Sequence, residues 1–264
     1  MKLSSANINV MVKACRKAAK ILIRDFGEIE KLQVSRKGPG DFVTNADKKV
    51  EKILIEELSK ARPTYSILSE EIGEIKNDEE FKWIIDPIDG TANFLHGIPH
   101  FGISIGLEKN KEIICGIIYD PIKDEMFMAE KGNGAFVNNQ RMRVSSRSKL
   151  KDCIIFTGGP SFKSKKEDKE LSLKEYNKFS LTVTTPIRKM GSASLDMAYV
   201  AAGRCDGFWQ RNLEYWDIAA GIILVKEAGG YVTDFNGTDK YIENKNILVT
   251  NSKISEEMAA VLRQ

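Results

Sequence analysis

Hydrophobic positions recur every three or four residues near the start of the chain. Ile8, Met11, Val12, Cys15, Ala18, Ala19 and Leu22 fall on one stripe, which predicts an amphipathic helix over residues 5–25. Val50, Ile53, Leu54 and Leu58 repeat that spacing and predict a second helix from Ala46 to Ala61, stopped by Pro63. Between them a basic turn at Arg36 and Lys37 leads into a Gly-Pro-Gly loop, Gly38 to Gly40. The period then shortens. Residues Tyr65 to Leu68 and Phe81 to Ile85 read as short strands. From 101 to 130 the apolar runs FGISIGL, EIICGIIYD and DEMFMAE are separated by Lys/Asn and Asp-Pro turns, the pattern of an antiparallel meander. The turn from Lys131 to Gly134 starts a further hairpin. Beyond about residue 150 the elements alternate: strand 152–157, charged helix 165–179, strand 182–188, helix 192–203, strand 206–211 and helix 215–228. Strands at 231–235 and 246–250 and a last helix complete the chain. The first part therefore reads as α+β and the second as α/β, two joined halves (1–145 and 146–264) of one compact unit. No internal repeat, low-complexity segment or long linker interrupts them.

Composition narrows the class. With 264 residues, 42% apolar and 29% charged, the chain can bury the core of an ordinary soluble enzyme. A net charge of +3 does not by itself argue for nucleic acid. The charge is unevenly placed, however. Glu70, Glu71, Glu74, Asp78, Glu79, Glu80, Asp86 and Asp89 crowd residues 66–90, which suits cations. Arg141, Arg143, Arg147, Lys149 and Lys151 form a basic strip, most simply a solvated face. The four cysteines are scattered without zinc spacing, as expected of reduced, buried thiols in a cytoplasmic protein. No apolar run approaches the ~20 residues of a membrane span.

The most telling stretch is WIIDPIDGTANF, Trp83 to Phe94. An apolar run delivers Asp86 to its end, Pro87 stiffens the exit, and Asp89 follows three residues later. A D-P-I-D turn can aim both carboxylates and the Ile88 carbonyl into one small space. Magnesium takes one or two carboxylates together with phosphate oxygens, so this is a plausible clamp for a cation against a phosphate. Gly90 lets the backbone come close to a phosphate, and the N–H groups from Gly90 and Thr91 onward make an anion site. The bland alternative is a surface turn with an N-capping Asp.

That string resembles the first signature of the inositol monophosphatase family, within the lithium-sensitive, magnesium-dependent phosphomonoesterases. A second signature runs from Trp216-Asp217 to Gly221 and on through Lys226 to Gly230. Further matches stand in order from Asp41 to Asp47, at Ser69-Glu70-Glu71 and at Gly191-Ser192-Ala193. The resemblance covers nearly the whole chain. It implies a layered αβαβα sandwich of the inositol monophosphatase and fructose-1,6-bisphosphatase type, a homodimer, and two or three Mg²⁺ per active site. It assigns Glu70, Asp86 and the Ile88 carbonyl to one ion, and Asp86, Asp89 and Asp217 to a second. Thr91, hydrogen-bonded toward Asp47, would position the attacking water with Glu70. Gly90 and Thr91 would bind the phosphate, with Gly191, Ser192, Ala193, Gln210 and Asp217 around the substrate. The two histidines, His96 and His100, have no part in this chemistry.

One position departs from the family pattern. Members specialised for inositol phosphate carry a Glu seven residues before the second-signature Asp; here that place holds Gln210, followed by Arg211, a positive charge near the mouth. A neutral amide loses a charge-assisted hydrogen bond, about twice as strong as a neutral one. The expected activity is hydrolysis of inositol 1-phosphate or a related small polyol or sugar phosphate. Histidinol phosphate, fructose 1,6-bisphosphate and adenosine bisphosphate are alternatives. A different class also stays open: bacterial proteins resembling this family serve as RNA-polymerase-associated factors in ribosomal RNA transcription, and the basic strip is compatible with RNA.

Overall fold

The computed structural model describes residues 5–28, 34–38, 41–77, 80–160 and 164–263. Pro39 and Gly40 of the Gly-Pro-Gly loop, and Asp78 and Glu79 of the acidic stretch, lie outside the described residues. The first elements are α1 (Ala6–Phe26), β1 (Val34–Gly38), β2 (Asp41–Thr44), α2 (Asn45–Ala61), β3 (Ser66–Ser69), β4 (Gly73–Ile75), β5 (Phe81–Asp89) and α3 (Thr91–Leu95). The meander follows as β6 (Gly102–Lys109), β7 (Glu112–Asp120), β8 (Glu125–Glu130), β9 (Gly134–Val137) and β10 (Gln140–Arg141). Then come β11 (Ile155–Thr157), α4 (Lys166–Thr182), α5 (Ala193–Ala201), β12 (Gly207–Arg211), α6 (Tyr215–Glu227), β13 (Tyr231–Thr233), β14 (Asn246–Thr250) and α7 (Ser255–Arg263).

Local chemistry sets the first helix. The Ser5 hydroxyl accepts the Ile8 N–H at 3.3 Å, and Gly27 closes the far end on the Ile23 and Arg24 carbonyls. Its buried stripe of Ile8, Met11, Cys15, Ala18 and Leu22 is the predicted one, and α2 buries Ala46, Val50, Leu54 and Leu58 beside it. Together they cover one face of an eight-stranded sheet ordered β10-β9-β8-β7-β6-β5-β3-β4. Alternation along the strands sorts the two faces. Ile85, Ile103, Ile105 and Ile117 join the α1–α2 core, whereas Ile84, Ile118 and Phe127 point the other way, onto α5 and α6. Those two helices are apolar nearly all round, as befits a layer buried on both sides. Phe208 and Val249 of a second sheet, ordered β11-β12-β14-β13, close on them from behind. Trp209 and Leu248 face outward to Phe179 of α4 and Met258 and Leu262 of α7. The result is five layers, αβαβα. Each fully buried large aliphatic side chain contributes about 1.5–3 kcal/mol to this stack.

A glycine pair fixes how low α6 sits. Gly106 and Gly116 are partners across β6 and β7. A Cβ on Gly116 would lie 2.5 Å from Ile223 Cγ2 and 2.7 Å from the Ala220 carbonyl, and one on Gly106 would lie 3.0 Å from Ala219 Cβ. The helix therefore rests directly on the sheet backbone. Asp217, in its first turn, is held at a fixed height above β5 and β6.

Two local expectations need correction. Residues 182–188 do not form a strand: Arg188 alone bridges to Phe156, because Pro186 has no N–H to donate. Arg36 and Lys37 belong to β1, paired antiparallel to β2, and not to a turn. The second sheet is mixed, with β11–β12 its parallel pair and two antiparallel pairs beside it. The four cysteines are free and buried, as expected. Among the described residues no helix is long and apolar enough to cross a membrane.

Candidate active site

The DPID segment is the end of a strand rather than a turn, and that difference creates the site. Strand β5 runs through to Asp89, but its pairing with β6 slips: Asp86 faces Ser104 and Asp89 faces Gly102, so two residues oppose one between them. In a regular strand residues three apart point to opposite faces. The extra residue of the bulge restores the phase. Ile85 and Ile88 both enter the α1–α2 core, and Asp86 and Asp89 both turn toward α5 and α6. Pro87 sits inside the bulge, where a missing N–H is no loss. The Asp86 carboxylate accepts the Ile88 N–H at 3.0 Å.

Beyond the strand, Gly90 adopts φ +96° and starts α3. A Cβ there would lie 3.2 Å from both the Gly191 and the His100 carbonyls, so two chain segments close on this glycine. The Thr91 hydroxyl donates to the Ile88 carbonyl at 2.9 Å and leans toward Asp47 Oδ1 at 3.4 Å. Asp47 is buried on α2.

Asp89 is gripped from α5. Its Oδ2 accepts from Ser192 Oγ at 2.6 Å, Ser194 N at 2.7 Å and Ser194 Oγ at 2.5 Å, while Oδ1 receives the Ala193 N–H at 3.3 Å. Ser192 is the N-cap of that helix. The Gly191-Ser192-Ala193 match thus serves first to hold a carboxylate. Asn93 secures the approach, donating to the His100 carbonyl at 2.7 Å and the Met190 carbonyl at 2.8 Å.

Glu70 follows β3, where its N–H bonds the Ile85 carbonyl at 3.2 Å and places it beside Asp86. The loop carrying it is anchored by Glu51, a buried acid one turn after Asp47. Glu51 accepts from the Ser69 hydroxyl and from the N–H groups of Glu71 at 3.0 Å and Ile72 at 3.2 Å. Asp217 is the third residue of α6, not its N-cap, and its Oδ2 accepts the Glu214 N–H at 2.8 Å in a capping box.

These acids share one electrostatic field. Burial pushes the Asp86 carboxyl well above the usual range, and Glu70, Asp89, Asp217 and Asp47 push it further in the same direction. Asp217 is likewise raised by burial and by Asp89, against the opposing pull of its backbone hydrogen bond. Asp89 is raised by burial in spite of its serine donors. Among the described residues every charged neighbour that shifts Asp86 is itself an acid, an environment that favours a bound positive charge. Carboxylates and a backbone carbonyl are oxygen donors suited to a hard divalent cation. The donor chemistry fits, although among the described residues no three His, Cys, Asp or Glu side chains close into a metal-holding group as they stand.

The Gln210 amide packs against Gly158, where an added Cβ would lie within 2.5 Å of it. Arg211 does not offer a free charge to the mouth. Its Nε and Nη2 hold buried Glu175 at 2.7 and 2.5 Å, and its guanidinium stacks 4.7 Å from the Phe235 ring centroid. His96 is exposed, with Nδ1 2.8 Å from the Ala92 carbonyl, and His100 is buried behind α3. Glu51, Asn93 and Ser194 escaped the sequence reading. Only for Glu51 was there a signal: its four-residue spacing from Asp47 puts both acids on one helical face.

Comparison with known proteins identifies the family and the fold. The model of the inositol monophosphatase family matches residues 5–264. An inositol-1-monophosphatase of Rhizobium meliloti is 50% identical over 261 residues, covering 98% of this chain and 97% of that protein. A Nus factor SuhB of Pseudomonas aeruginosa is 39% identical over 262 residues, covering 97% and 95%. The crystal structure of the extragenic suppressor protein suhB from Bartonella henselae superposes with a TM-score of 0.94 at 50% identity, covering 98% and 99%. The five-layer sandwich is therefore of the inositol monophosphatase and fructose-1,6-bisphosphatase type. The chain belongs to the inositol monophosphatase family and is an enzyme of the phosphatase class.

Proposed function

We propose that the chain is a Mg²⁺-dependent phosphomonoesterase acting on inositol 1-phosphate or a related small polyol or sugar phosphate. The observation that carries this reading is the convergence of Glu70 after β3, Asp86 and Asp89 on β5, and Asp217 on α6, three separate segments, into a field where, among the described residues, the charges that shift Asp86 are all acidic. Glu70, Asp86 and the Ile88 carbonyl would hold one ion, and Asp86, Asp89 and Asp217 a second. Bound Mg²⁺ supplies charge neutralisation of the phosphate and a lowered pKa for the attacking water. The protein does the rest. Thr91 donates its one proton toward Ile88 and Asp47, so its lone pairs accept from a water and orient it together with Glu70. The Gly90 and Thr91 N–H groups bind the phosphate. Gly191, Ser192 and Ala193 support the substrate side through Asp89, and Gln210 meets the alcohol. We take the enzyme to be a cytoplasmic homodimer inhibited by Li⁺.

A second role is compatible with catalysis. Relatives at 39% identity are named Nus factor SuhB, which favours an association with the transcription apparatus. The basic strip is partly committed already, since Arg147 pairs with buried Asp206 at 3.1 Å. The test of the main reading is phosphate release with Mg²⁺ from inositol 1-phosphate, sugar phosphates, histidinol phosphate and adenosine bisphosphate, with and without Li⁺. Mg²⁺-dependent, Li⁺-sensitive release from a polyol or sugar phosphate is expected. Absence of release from the whole panel refutes the reading.

A further inference from the structure

Two polar side chains behind the acidic cluster are buried without partners. His100 is 5% exposed and Asp196 1%. His100 Nε2 and both Asp196 carboxyl oxygens make no hydrogen bond, and Nε2 lies 4.0 Å from Oδ1. Buried polar atoms are seldom left unpaired, and here the unpaired ones face each other. The gap is too long for a direct hydrogen bond but closes by a small rotation or one intervening water.

The pair joins the two segments that hold Asp89. His100 ends the connection from α3, two residues before Gly102, the strand partner of Asp89. Its carbonyl is fixed by Asn93, whose amide also ties down Met190 ahead of α5. Asp196 lies in the first turn of α5, just after Ser192 and Ser194. Contact between them would fasten that first turn to the β5–β6 connection.

The surroundings decide which charges the pair can carry. Asp89 of β5 faces Asp196. Asp120, the last residue of β7, and Lys123, which bonds to it, face His100, and the Tyr199 ring of α5 meets its ring edge-on at 5.8 Å. A carboxylate at Asp196 would be a fully buried charge with no hydrogen-bond donor to support it. An imidazolium at His100 would be buried beside the Lys123 ammonium. A neutral acid and a neutral ring avoid both penalties.

We propose that His100 and Asp196 share a single proton, held on the Asp196 carboxyl and donated to His100 Nε2 while the ring's own proton sits on Nδ1, and that this uncharged clamp positions the α5 serines that hold Asp89. Both are positioning residues and neither touches substrate. The role of Asp89 rests on the phosphatase reading; the placement of the proton does not. The test is a long-range ¹H–¹⁵N correlation spectrum of the full chain labelled with ¹⁵N. With two histidines in the chain, His96→Gln leaves His100 as the one imidazole signal. A neutral ring protonated at Nδ1, unchanged between about pH 5 and 8, is expected. An imidazolium at neutral pH, or a proton on Nε2, overturns the proposal.

Two variants test the positioning. Asp196→Asn keeps an uncharged donor and should leave kcat within about twofold, whereas Asp196→Leu should lower kcat by about tenfold or more at little-changed KM. Equal losses in both variants would mean that a charge, not a donor, is required, and would overturn the clamp. If the leucine variant does not fold, the spectrum of the parent chain and the activity of Asp196→Asn still decide. Failure of the parent chain to release phosphate would refute the phosphatase reading alone.

Discussion

Replacing Gly116 by alanine tests whether the seat of α6 on the sheet sets the active site. The new Cβ would meet Ile223 Cγ2 at 2.5 Å and the Ala220 backbone carbonyl at 2.7 Å. Ile223 can turn aside; a helix backbone cannot. Ordinary contact begins near 3.4 Å, so α6 must lift by somewhat under 1 Å. Overpacking of this kind costs about 1–3 kcal/mol. Loss of glycine's freedom in the unfolded chain returns about 0.4–1 kcal/mol, leaving a net destabilisation near 1.5 kcal/mol. At about 2–4 °C per kcal/mol for a chain of this size, Tm should fall by about 3–6 °C. Asp217 rides on the first turn of α6, and a displacement near 1 Å can cost up to about 10²-fold in rate. Calorimetry and phosphate-release kinetics on purified Gly116→Ala measure both effects. Gly159→Ala is the control, because nothing lies within 4 Å of its added Cβ. Should Gly116→Ala melt and turn over like that control, the idea that the glycine pair sets the height of Asp217 is wrong.

Other perturbations reach the same site from different sides. Ser194→Ala removes the 2.5 Å hydroxyl bond to Asp89 and leaves the backbone bond, a loss of about 1.5–3 kcal/mol; Asp89 should then hold its proton to higher pH, and the acid limb of the activity profile should move upward. Arg211→Ala strands buried Glu175 without its partner and should destabilise by about 3–5 kcal/mol, visible in urea unfolding. His100 is pushed down from 6.5 to about 4, chiefly by burial. The unfolded chain therefore binds the extra proton in that interval, and stability should fall as pH drops from about 6.5 to 4, by at most about 3 kcal/mol. His100→Gln should flatten that part of the stability curve in urea titrations at stepped pH.

Much of the architecture was legible because burial leaves a periodic trace. The three-four spacing of Ile8 to Leu22 and the apolar runs of the meander are direct images of the faces they bury. Where a single residue overrides the pattern, reading fails: the run at 182–188 looks like a strand, yet Pro186 leaves one bridge at Arg188. The Asp86–Asp89 pair shows a subtler limit. Its residue types announced a cation clamp, but the bulge that puts both carboxylates on one face depends on pairing with β6, which no local spacing encodes. The same holds for the Ser192 and Ser194 grip, formed across more than a hundred residues of chain. Arg211 shows the reverse error, since a charge that looked available is occupied by Glu175.

Direct measurement of Mg²⁺ binding by calorimetry, on the parent chain and on Asp86→Asn, tests the central claim. Asp86 is the most buried of the four acids proposed to hold the ions, and its carboxylate would be shared by both. Saturable Mg²⁺ binding by the parent chain is predicted, weakened at least about tenfold in Asp86→Asn together with loss of phosphate release, as expected when a carboxylate ligand is replaced by an amide. Unchanged Mg²⁺ affinity and turnover in Asp86→Asn would contradict the account.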